Sequence, residues 1–305
     1  MDLYGQDPEL WLLGKLMAQL DRRTMIDVGA ERGGFAEGML RAGVQELHAV
    51  DPHPDNVAAL HRRFGDDARV RIHALAVSDA DGVADLHVST APDGGPLSFG
   101  HTLLKPDDTD EIAWRQTVAV NRRSLQSLID AGEIPSSTGV LKIDTEGHDL
   151  AVVRGMGSLV AEIVMVEHWT DLPHGLGVCP WSTQDMLAEL QPRGFTHFAF
   201  IVHRGEFTTL KWDDGEVERG AMGNLIFLHD SVLARLLPDV LDCAGRLAEQ
   251  AVRVGQMYMD AARDRLALAH ELGEAAEARG QALEATTARM QDLSAEVESL
   301  RAQGD

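Results

Sequence analysis

The length, composition and charge of the chain limit what kind of protein it is. It has 305 residues, 44% of them hydrophobic, with 27 Lys+Arg against 49 Asp+Glu and a formal net charge of −22. This apolar content is enough to offset chain entropy, which excludes a wholly disordered chain. The negative charge argues against nucleic acid and anionic lipid as partners, because both select basic surfaces.

Cysteine usage and apolar runs bear on the compartment. The two cysteines, Cys179 and Cys243, lie far apart and do not make a disulfide framework, which favours a reducing compartment. No apolar run approaches the roughly 20 residues of a membrane span. Residues 1–10 carry acids where a secretory signal needs a basic stretch. We therefore expect a cytoplasmic protein without a membrane span.

Short apolar runs alternate with helical patterns along the first part of the chain. The predicted elements in order are a helix at 9–20, a strand at 24–28, a helix at 34–42, a strand at 46–50, a helix at 56–64 and a strand at 70–77. This alternation predicts an α/β fold with a parallel sheet covered by helices on both faces.

The pattern continues after a long irregular loop. Segment 90–111 is rich in Gly, Pro and Asp, and a loop of that length is usually functional or mobile. The remaining predicted elements are strands at 83–88, 117–120, 140–143, 163–166, 196–202 and 224–228, and helices at 124–131, 149–156 and 182–190. A hairpin-like insertion, 204–220, separates the last two strands. We expect a seven-stranded, mostly parallel sheet whose last strand is antiparallel.

The composition changes near Asp230, after which Ala, Glu, Arg and Leu dominate and helix propensity is high. This predicts a first domain at 1–230 and a helical extension at 231–305. Apolar residues near the end follow a heptad spacing, interrupted upstream at 279–280: Leu283, Met290, Leu293, Val297 and Leu300. An oligomerising coiled coil, a helical bundle packed on the domain and a frayed tail all remain open.

A glycine turn follows the first predicted strand in TMIDVGAERGGF, residues 24–35. Asp27 lies near the end of the strand, and Gly29 and Gly33 open a helix whose free N–H groups suit a ligand. The spacing is not G-x-G-x-x-G, so the dinucleotide fingerprint is absent. This argues against an NAD-dependent oxidoreductase.

Acidic residues also end the next two strands. Asp51, in AVDPH at 49–53, is placed to accept both ribose hydroxyls of an adenosine, although an Asp there also suits a helix N-cap. Ser78 and Asp79, in LAVSD at 75–79, are placed to frame an adenine ring, although Ser-Asp also starts turns.

Two later strand ends concentrate charged groups. VLKIDTEGHDL at 140–150 places Asp144, Glu146 and His148 at or beyond a strand end, and VMVEHW at 164–169 does the same for Glu167 and His168. Ligands bind at the carboxyl ends of parallel strands, so we expect these groups to face the same crevice as Asp27 and Asp51. Lys142 is expected to pair with Glu146 or another acid.

Together, IDVGAERGGF, AVDPHPDN, LAVSDADG and LKIDTEGHDLAVVRGM resemble the FkbM-type methyltransferases over roughly residues 20–230. These are class I, Rossmann-like enzymes dependent on S-adenosylmethionine that methylate hydroxyl groups, often on sugars or polyketides. The LKIDTEG…RG segment is the most specific part. The resemblance implies the following places around the cofactor: Asp27, Gly29 and Gly33 on the methionine side, Asp51 at the ribose, Ser78 and Asp79 near adenine, and Asp144 near the reacting centre. Glu31 and Pro52 are also expected to bind the cofactor.

Two departures from the family pattern bear on the substrate more than on the cofactor. Glu31 occupies a position where such turns often carry Asn. Segment 121–128, NRRSLQSL, replaces the usual Thr-Leu-Asp-Asp type of helix start.

Methyl transfer to a hydroxyl requires removal of a proton from a weak acid, and two hypotheses address this step. The first is a general base, with His148 and His168 as candidates beside Asp144 and Glu146. The second is a divalent ion such as Mg²⁺ bound by Asp144, Glu167 and His168. His148 also suits a helix start without any catalytic role. His101, in the long loop, is a further candidate to cover substrate.

The sequence as a whole predicts an S-adenosylmethionine-dependent O-methyltransferase acting on a sugar, a glycan or a sugar-bearing natural product. An acidic surface favours a neutral or cationic acceptor. Residues 231–305 are expected to form a homo-oligomer or to contact a biosynthetic partner. The alternative is a non-catalytic methyltransferase-like scaffold that oligomerises through its helical tail.

Overall fold

The computed structural model describes residues 7–105, 108, 112–170, 177–204, 207–215 and 220–302. Parts of the predicted loop 90–111 and of the insertion 204–220 lie outside these ranges. Within them the chain is α/β, as predicted, with helices on both faces of a large sheet.

Eight strands form the main sheet in the order β10-β9-β11-β8-β7-β1-β2-β3. Their bounds are β1 Thr24–Val28, β2 Glu46–Val50, β3 Val70–His73, β7 Ser137–Ile143, β8 Val160–Trp169, β9 His197–Arg204, β10 Phe207–Trp212 and β11 Met222–Leu228. The neighbours from β3 to β8 are parallel, whereas β11 is antiparallel to both β8 and β9, and β10 is antiparallel to β9. The sequence predicted a seven-stranded sheet, whereas the main sheet has eight strands; the additional strand, β10, comes from the insertion and pairs with β9 as a hairpin.

A second sheet of three strands has the order β4-β6-β5. These strands are β4 Ala76–Val77, β5 Gly82–Thr90 and β6 Ala113–Arg123. The predicted strand 70–77 is therefore divided, because β3 pairs with β2 in the main sheet while β4 pairs with β6 in the small one. The predicted strands 83–88 and 117–120 form an antiparallel pair here and do not extend the main sheet.

The helices lie close to their predicted positions. Their bounds are α1 Pro8–Met17, α2 Gly34–Arg41, α3 Pro54–Phe64, α4 Leu125–Asp130, α5 Asp149–Arg154, α6 Thr183–Leu190 and α7 Asp230–Ala302. Polar side chains fix several starts: Asp7 accepts from the Leu10 N–H at α1, and Ser182 forms a capping box with Asp185 at α6.

Alternate residues of the central strands supply two apolar clusters, one on each face of the sheet. Ile26 and Val28 of β1 belong to a cluster with residues of α5 and α6. Met25 belongs to the other cluster, with residues of α1, α2, α3 and α7. Asp27, between two core residues and wholly buried, shares the face of Met25 by the period-2 alternation of a strand.

The long helix α7 begins where the composition changes. Five apolar side chains of its first turns are buried against the rest of the molecule: Val232, Leu236, Val240, Cys243 and Leu247. The compact unit consequently extends to Ala251, beyond the predicted boundary at 230, and Val252–Asp305 is a second unit.

Two further observations concern the cysteines and the membrane. Cys179 and Cys243 are both buried and unpaired. In the described part of the chain, no helix combines the length and the apolar character needed to cross a membrane.

Candidate active site

The turn after β1 brings three strand ends into contact. Gly29 donates its N–H to the Val50 carbonyl at the end of β2, and Asp144 donates its N–H to the Val28 carbonyl. Gly29 has φ +80°, and a Cβ at this position would lie 1.7 Å from the Asp144 carbonyl oxygen. Only glycine fits such an approach, so this residue joins the carboxyl ends of β1, β2 and β7.

Asp51 is buried at the end of β2 and faces the cleft. Its carboxylate accepts hydrogen bonds from the Glu31 N–H at 2.9 Å and the His53 N–H at 2.8 Å, with Asn56 Nδ2 at 3.4 Å. Burial raises the pKa of Asp51 to about 7, although these bonds favour the ionised form. The side chain is thus held rigidly, as a ligand acceptor must be.

One side of the cleft is apolar and ends in a polar group. Five aliphatic residues line it: Leu75, Ala76, Val77, Leu86 and Leu103. Next to them the Ser78 hydroxyl lies 2.9 Å from His148 Nε2 and donates to Asp79 Oδ1 at 3.1 Å. Burial lowers the pKa of His148, so the imidazole is neutral near pH 7. An apolar wall with a polar group at its edge suits an aromatic ring such as adenine.

The long loop predicted at 90–111 covers this cleft. The Ser98 hydroxyl of this loop donates to Glu31 Oε1 at 2.5 Å, and the Ser98 backbone carbonyl accepts from Asn56 Nδ2 at 3.0 Å. Gly100 donates its N–H to Glu146 Oε1 at 2.8 Å. The loop is therefore bound to the turn after β1, to α3 and to the segment after β7.

His101 has a structural place within that loop. Its ring stacks on His53 with centroids 4.1 Å apart, and its Nδ1 accepts from the Ser89 N–H at 3.1 Å. Burial lowers the pKa of His101 to about 4. The side chain lines the cleft and is held between β5, which carries Ser89, and the start of α3, which carries His53.

Lys142 is a buried cation between two carboxylates. Its Nζ lies 3.2 Å from Asp27 Oδ1 and 3.2 Å from Asp144 Oδ2. Burial opposes the ammonium charge, but Asp144 and Asp27 outweigh it and raise the pKa of Lys142. The sequence predicted a pairing with Glu146 or another acid, and the partners are these two aspartates.

Three more carboxyl groups lie around the end of β7, on Glu146, Asp149 and Glu167. Burial is the largest cause that raises their pKa values, and repulsion from neighbouring carboxylates raises them further. The pKa of Glu146 is raised to about 8 and that of Asp149 to about 7, with Asp144 the next cause in both. The pKa of Glu167 is raised well above its usual range by burial and by Asp144. Near neutral pH this cluster is therefore only partly ionised.

The predicted metal ligands do not converge. Glu167 and His168 are adjacent in β8 and so point to opposite faces of the sheet. His168 packs against Trp181, with ring centroids 4.7 Å apart, and burial lowers its pKa to about 4. Among the residues that the structure describes, no group of three His, Cys, Asp or Glu side chains is arranged to hold a metal ion. The set Asp144, Glu167 and His168 therefore does not fit Mg²⁺.

Sequence reasoning missed several residues of the site. Asn56, Ser98 and Phe99 line the cleft, but nothing in their local pattern distinguishes them from helix and loop residues. Gly155, quoted only as part of a motif, has a definite role, because a Cβ there would lie 2.0 Å from the Ser78 carbonyl oxygen. It allows the end of α5 to pack on the segment that carries Ser78.

The stretch that builds this cleft matches a known family. Residues 27–196, more than half of the chain, match the family described as Methyltransferase FkbM domain. The chain belongs to the FkbM methyltransferase family. The resemblance drawn from the motifs is thereby confirmed.

The hexuronic acid methyltransferase AglP of Haloferax volcanii is 26% identical to this chain over 167 residues. That stretch covers 54% of this chain and 62% of AglP, so the chain spans about three-fifths of the length of this relative.

Two solved structures are also similar to this FkbM-family chain. A precorrin-6y C5,15-methyltransferase from Geobacter metallireducens is 9% identical, with a TM-score of 0.38 and coverage of 72% of this chain and 87% of that one. A SAM dependent methyltransferase from Aquifex aeolicus is 13% identical, with a TM-score of 0.33 and coverage of 73% and 89%.

Proposed function

We propose that the protein is an S-adenosylmethionine-dependent O-methyltransferase whose acceptor is a hydroxyl group on a sugar, a glycan or a sugar-bearing natural product. The observation that carries this proposal is the cleft where the ends of β1, β2 and β7 meet, with Asp51 and the Gly29 turn on its wall. Membership of the FkbM family supports the methyl transfer. AglP, whose name assigns it a hexuronic acid, supports a sugar acceptor.

The residues of the cleft fit S-adenosylmethionine. Gly29, where a Cβ would meet the Asp144 carbonyl oxygen, lets the end of β7 lie directly against this turn, so both form one wall of the cleft. Asp51, held by two backbone N–H groups, is placed to accept the ribose hydroxyls. The aliphatic slot beside Ser78 and Asp79 would take the adenine, and Glu31 and Pro52, which also line the cleft, would complete the surroundings. Asp27, wholly buried against Lys142, and Gly33, at the start of α2, would support the cleft from behind.

Bound S-adenosylmethionine supplies an electrophilic methyl group on a positively charged sulfur. The chain has to place the acceptor hydroxyl about 3 Å from that methyl and accept its proton. Asp144 lies at the end of β7, beside the Gly29 turn, and Lys142 holds its carboxylate. The carboxyls around this point repel an anionic acceptor, which favours a neutral or cationic one.

A transfer assay with S-adenosylmethionine labelled in its methyl group tests this proposal. The acceptors are a neutral hexose, an amino sugar and a hexuronic acid, each as a simple glycoside. The proposal expects label in a methyl ether that withstands mild base. Label released by base would indicate a methyl ester formed on a carboxylate, and would refute hydroxyl methylation.

For the helical tail we propose self-association through the heptad residues of 283–300. The spacing of Leu283, Met290 and Val297, with Leu293 and Leu300, supports a two-stranded coiled coil. Light scattering on the full chain and on a Leu293→Glu, Leu300→Glu variant tests it. A dimer that becomes monomeric in the variant is the expected result, and a monomeric full chain at micromolar concentration refutes it.

A further inference from the structure

Among the residues that the structure describes, one carboxylate beside the end of β7 has no hydrogen-bond or ion-pair partner. Of the four acids around the end of β7, Asp144 is paired with Lys142, Glu146 accepts from the Gly100 N–H, and Asp149 accepts from the N–H groups of Thr145 and Gly147. Within the described residues, the partly buried side chain of Glu167 makes no hydrogen bond or ion pair. The carboxylates of Asp144, Glu146 and Asp149 are thus held by these contacts, whereas the Glu167 carboxylate can accept a proton.

The sheet register places this free carboxylate next to Asp144. β7 and β8 are parallel, and the last paired residues are Ile143 and Val166. Asp144 and Glu167 follow that pair, on strands about 4.8 Å apart. Both lie two residues beyond the paired Lys142 and Met165, so period-2 alternation gives them the face on which Lys142 holds Asp27 and Asp144.

The two histidines are placed less well for proton removal at this point. His168 points to the other face of β8, against Trp181 and Phe200. His148 is bonded to Ser78, beside the apolar slot that the proposed function gives to adenine. The unpaired acid next to Asp144 remains the better candidate.

We propose that Glu167 is the general base of the transfer, an inference that rests on the proposed function. The Glu167 carboxylate takes the proton of the acceptor hydroxyl while that oxygen forms a bond to the methyl carbon. The carbon–sulfur bond breaks, its electron pair stays on sulfur, and S-adenosylhomocysteine leaves. The protonated Glu167 then returns its proton to solvent.

The electrostatic surroundings of Glu167 are consistent with this role. Burial first, and then Asp144, Glu146 and Asp149, raise its pKa well above the usual range, while Lys142 opposes them. In the neighbouring strand β11, the residue paired with Glu167 is the neutral Asn224. The amide of Asn224 donates a hydrogen bond to Glu9, which is also hydrogen-bonded to His203. A carboxyl whose pKa lies nearer to neutral pH is a stronger base than an ordinary one.

Binding measurements test this assignment without knowledge of the acceptor. S-adenosylhomocysteine has no charge at the methyl position, whereas sinefungin, an analogue of S-adenosylmethionine, carries an amine there. Both are titrated calorimetrically from pH 6 to 8.5 into the wild type, Glu167→Gln, Glu146→Gln and the control Glu249→Gln, whose side chain is exposed on α7. Dividing one affinity by the other cancels the contribution of the adenosine group that both ligands share. It therefore also cancels the effect of Asp51, which is expected to bind that group.

The wild type and Glu249→Gln are expected to prefer sinefungin increasingly as the pH rises, because deprotonation of Glu167 places a negative charge beside the amine. In Glu167→Gln that rise should be clearly smaller, because only Glu146 and Asp149 then ionise near the amine, while S-adenosylhomocysteine binding stays within twofold of the wild type. A rise as large in Glu167→Gln as in the wild type, or one that only Glu146→Gln reduces, overturns the assignment. Failure of the wild type to bind S-adenosylhomocysteine at all refutes the proposed function itself.

Kinetics give a second readout once the labelled-methyl assay has an acceptor. Glu167→Gln should lower kcat by about 10² or more and remove the acidic limb of its pH profile. The KM for S-adenosylmethionine should not change. An unaltered pH profile with a lower melting temperature would indicate a structural role and overturn the proposal.

Discussion

At the scale of single residues, the site depends on a close backbone approach that one glycine permits. Gly29→Ala would place a Cβ 1.7 Å from the Asp144 carbonyl oxygen, and its φ of +80° disfavours any L side chain. The turn must therefore open, and we expect at least a hundredfold loss of S-adenosylhomocysteine affinity together with a lower melting temperature.

Gly34→Ala is the matched control for this substitution. It lies in the same turn, at the start of α2, and an added Cβ would meet nothing within 4 Å. Alanine favours the helix by up to about 1 kcal/mol. Calorimetry and thermal unfolding should show unchanged binding and equal or greater stability, and comparable losses in both variants would contradict this account of the turn.

Asp51 gives a second residue-scale prediction. Asp51→Asn replaces one acceptor oxygen by a donor facing the N–H groups of Glu31 or His53, and weakens the acceptor offered to a ribose. The expected loss of S-adenosylhomocysteine affinity is about 10- to 100-fold, the range for a hydrogen bond to a charged group. Asp55→Asn, which makes the same charge change on the exposed side of α3, should bind normally.

The pH dependence of binding follows from the same side chain. Burial raises the pKa of Asp51 to about 7, so the fraction with a full acceptor charge grows as the pH rises through 7. S-adenosylhomocysteine affinity of the wild type should increase between about pH 6 and 8. Asp51→Asn should not show this increase, and an affinity that falls with pH in the wild type would refute the assignment.

At the scale of elements, the sequence was most informative where local pattern and packing agree. β1 and β2 have their predicted bounds, because a short apolar run that ends in a turn is typical of a strand and of no other element. The segment 70–77 was wrongly predicted as one strand, since its division depends on pairing with β2 and with the distant β6. β10 was missed as a sheet strand for a similar reason: its pairing with β9 is a tertiary fact.

The same distinction applies to the site. Asp51 and Asp144 were found because each follows a strand, and strand ends meet in a parallel sheet. The opposite orientation of Glu167 and His168 follows from strand alternation alone, and the metal hypothesis overlooked it. The contacts of Ser98 with Glu31 and Asn56 could not be predicted, because they depend on how an irregular loop folds back.

Helix α7 supplies an element-scale prediction. Among its side chains that the structure describes, Leu247 is the last that is buried, and the compact unit ends at Ala251. A chain ending after Ala251 should fold and bind S-adenosylhomocysteine as the full chain does, because no described core residue is removed. A chain ending after Asp230 loses Val232, Leu236 and Val240 from the core and should unfold at a markedly lower temperature. Equal melting temperatures for the two truncations would contradict this division.

At the scale of the whole molecule, buried carboxyls make stability depend on pH. The folded pKa values of Asp51 and Asp149 are about 7 and that of Glu146 about 8, above their ordinary values of 3.8 and 4.5. The folded state therefore binds more protons, and the stability these groups contribute is lost as the pH rises through their folded values. Buried histidines with lowered pKa values, such as His101 and His168, have the opposite effect: their contribution to stability increases as the pH rises from about 4 to 6.5.

Above about pH 6.5 the buried carboxyls act together with His203, whose pKa is raised by its hydrogen bond with Glu9, so the melting temperature should fall between about pH 6.5 and 8.5. The expected decrease is roughly 4 °C or more for a protein of this size. Asp149→Asn should reduce it, because that carboxyl can no longer ionise. A melting temperature that is constant or rises across this interval would contradict the electrostatic description of the site.

The central claim is that the cleft between the ends of β1, β2 and β7 binds S-adenosylmethionine. Calorimetric titration of the purified protein with S-adenosylhomocysteine, with NAD as the comparison ligand, tests it most directly. The account predicts one site of micromolar affinity for S-adenosylhomocysteine and no binding of NAD, because the G-x-G-x-x-G turn is absent. Absence of S-adenosylhomocysteine binding, or equal binding of NAD, would contradict it.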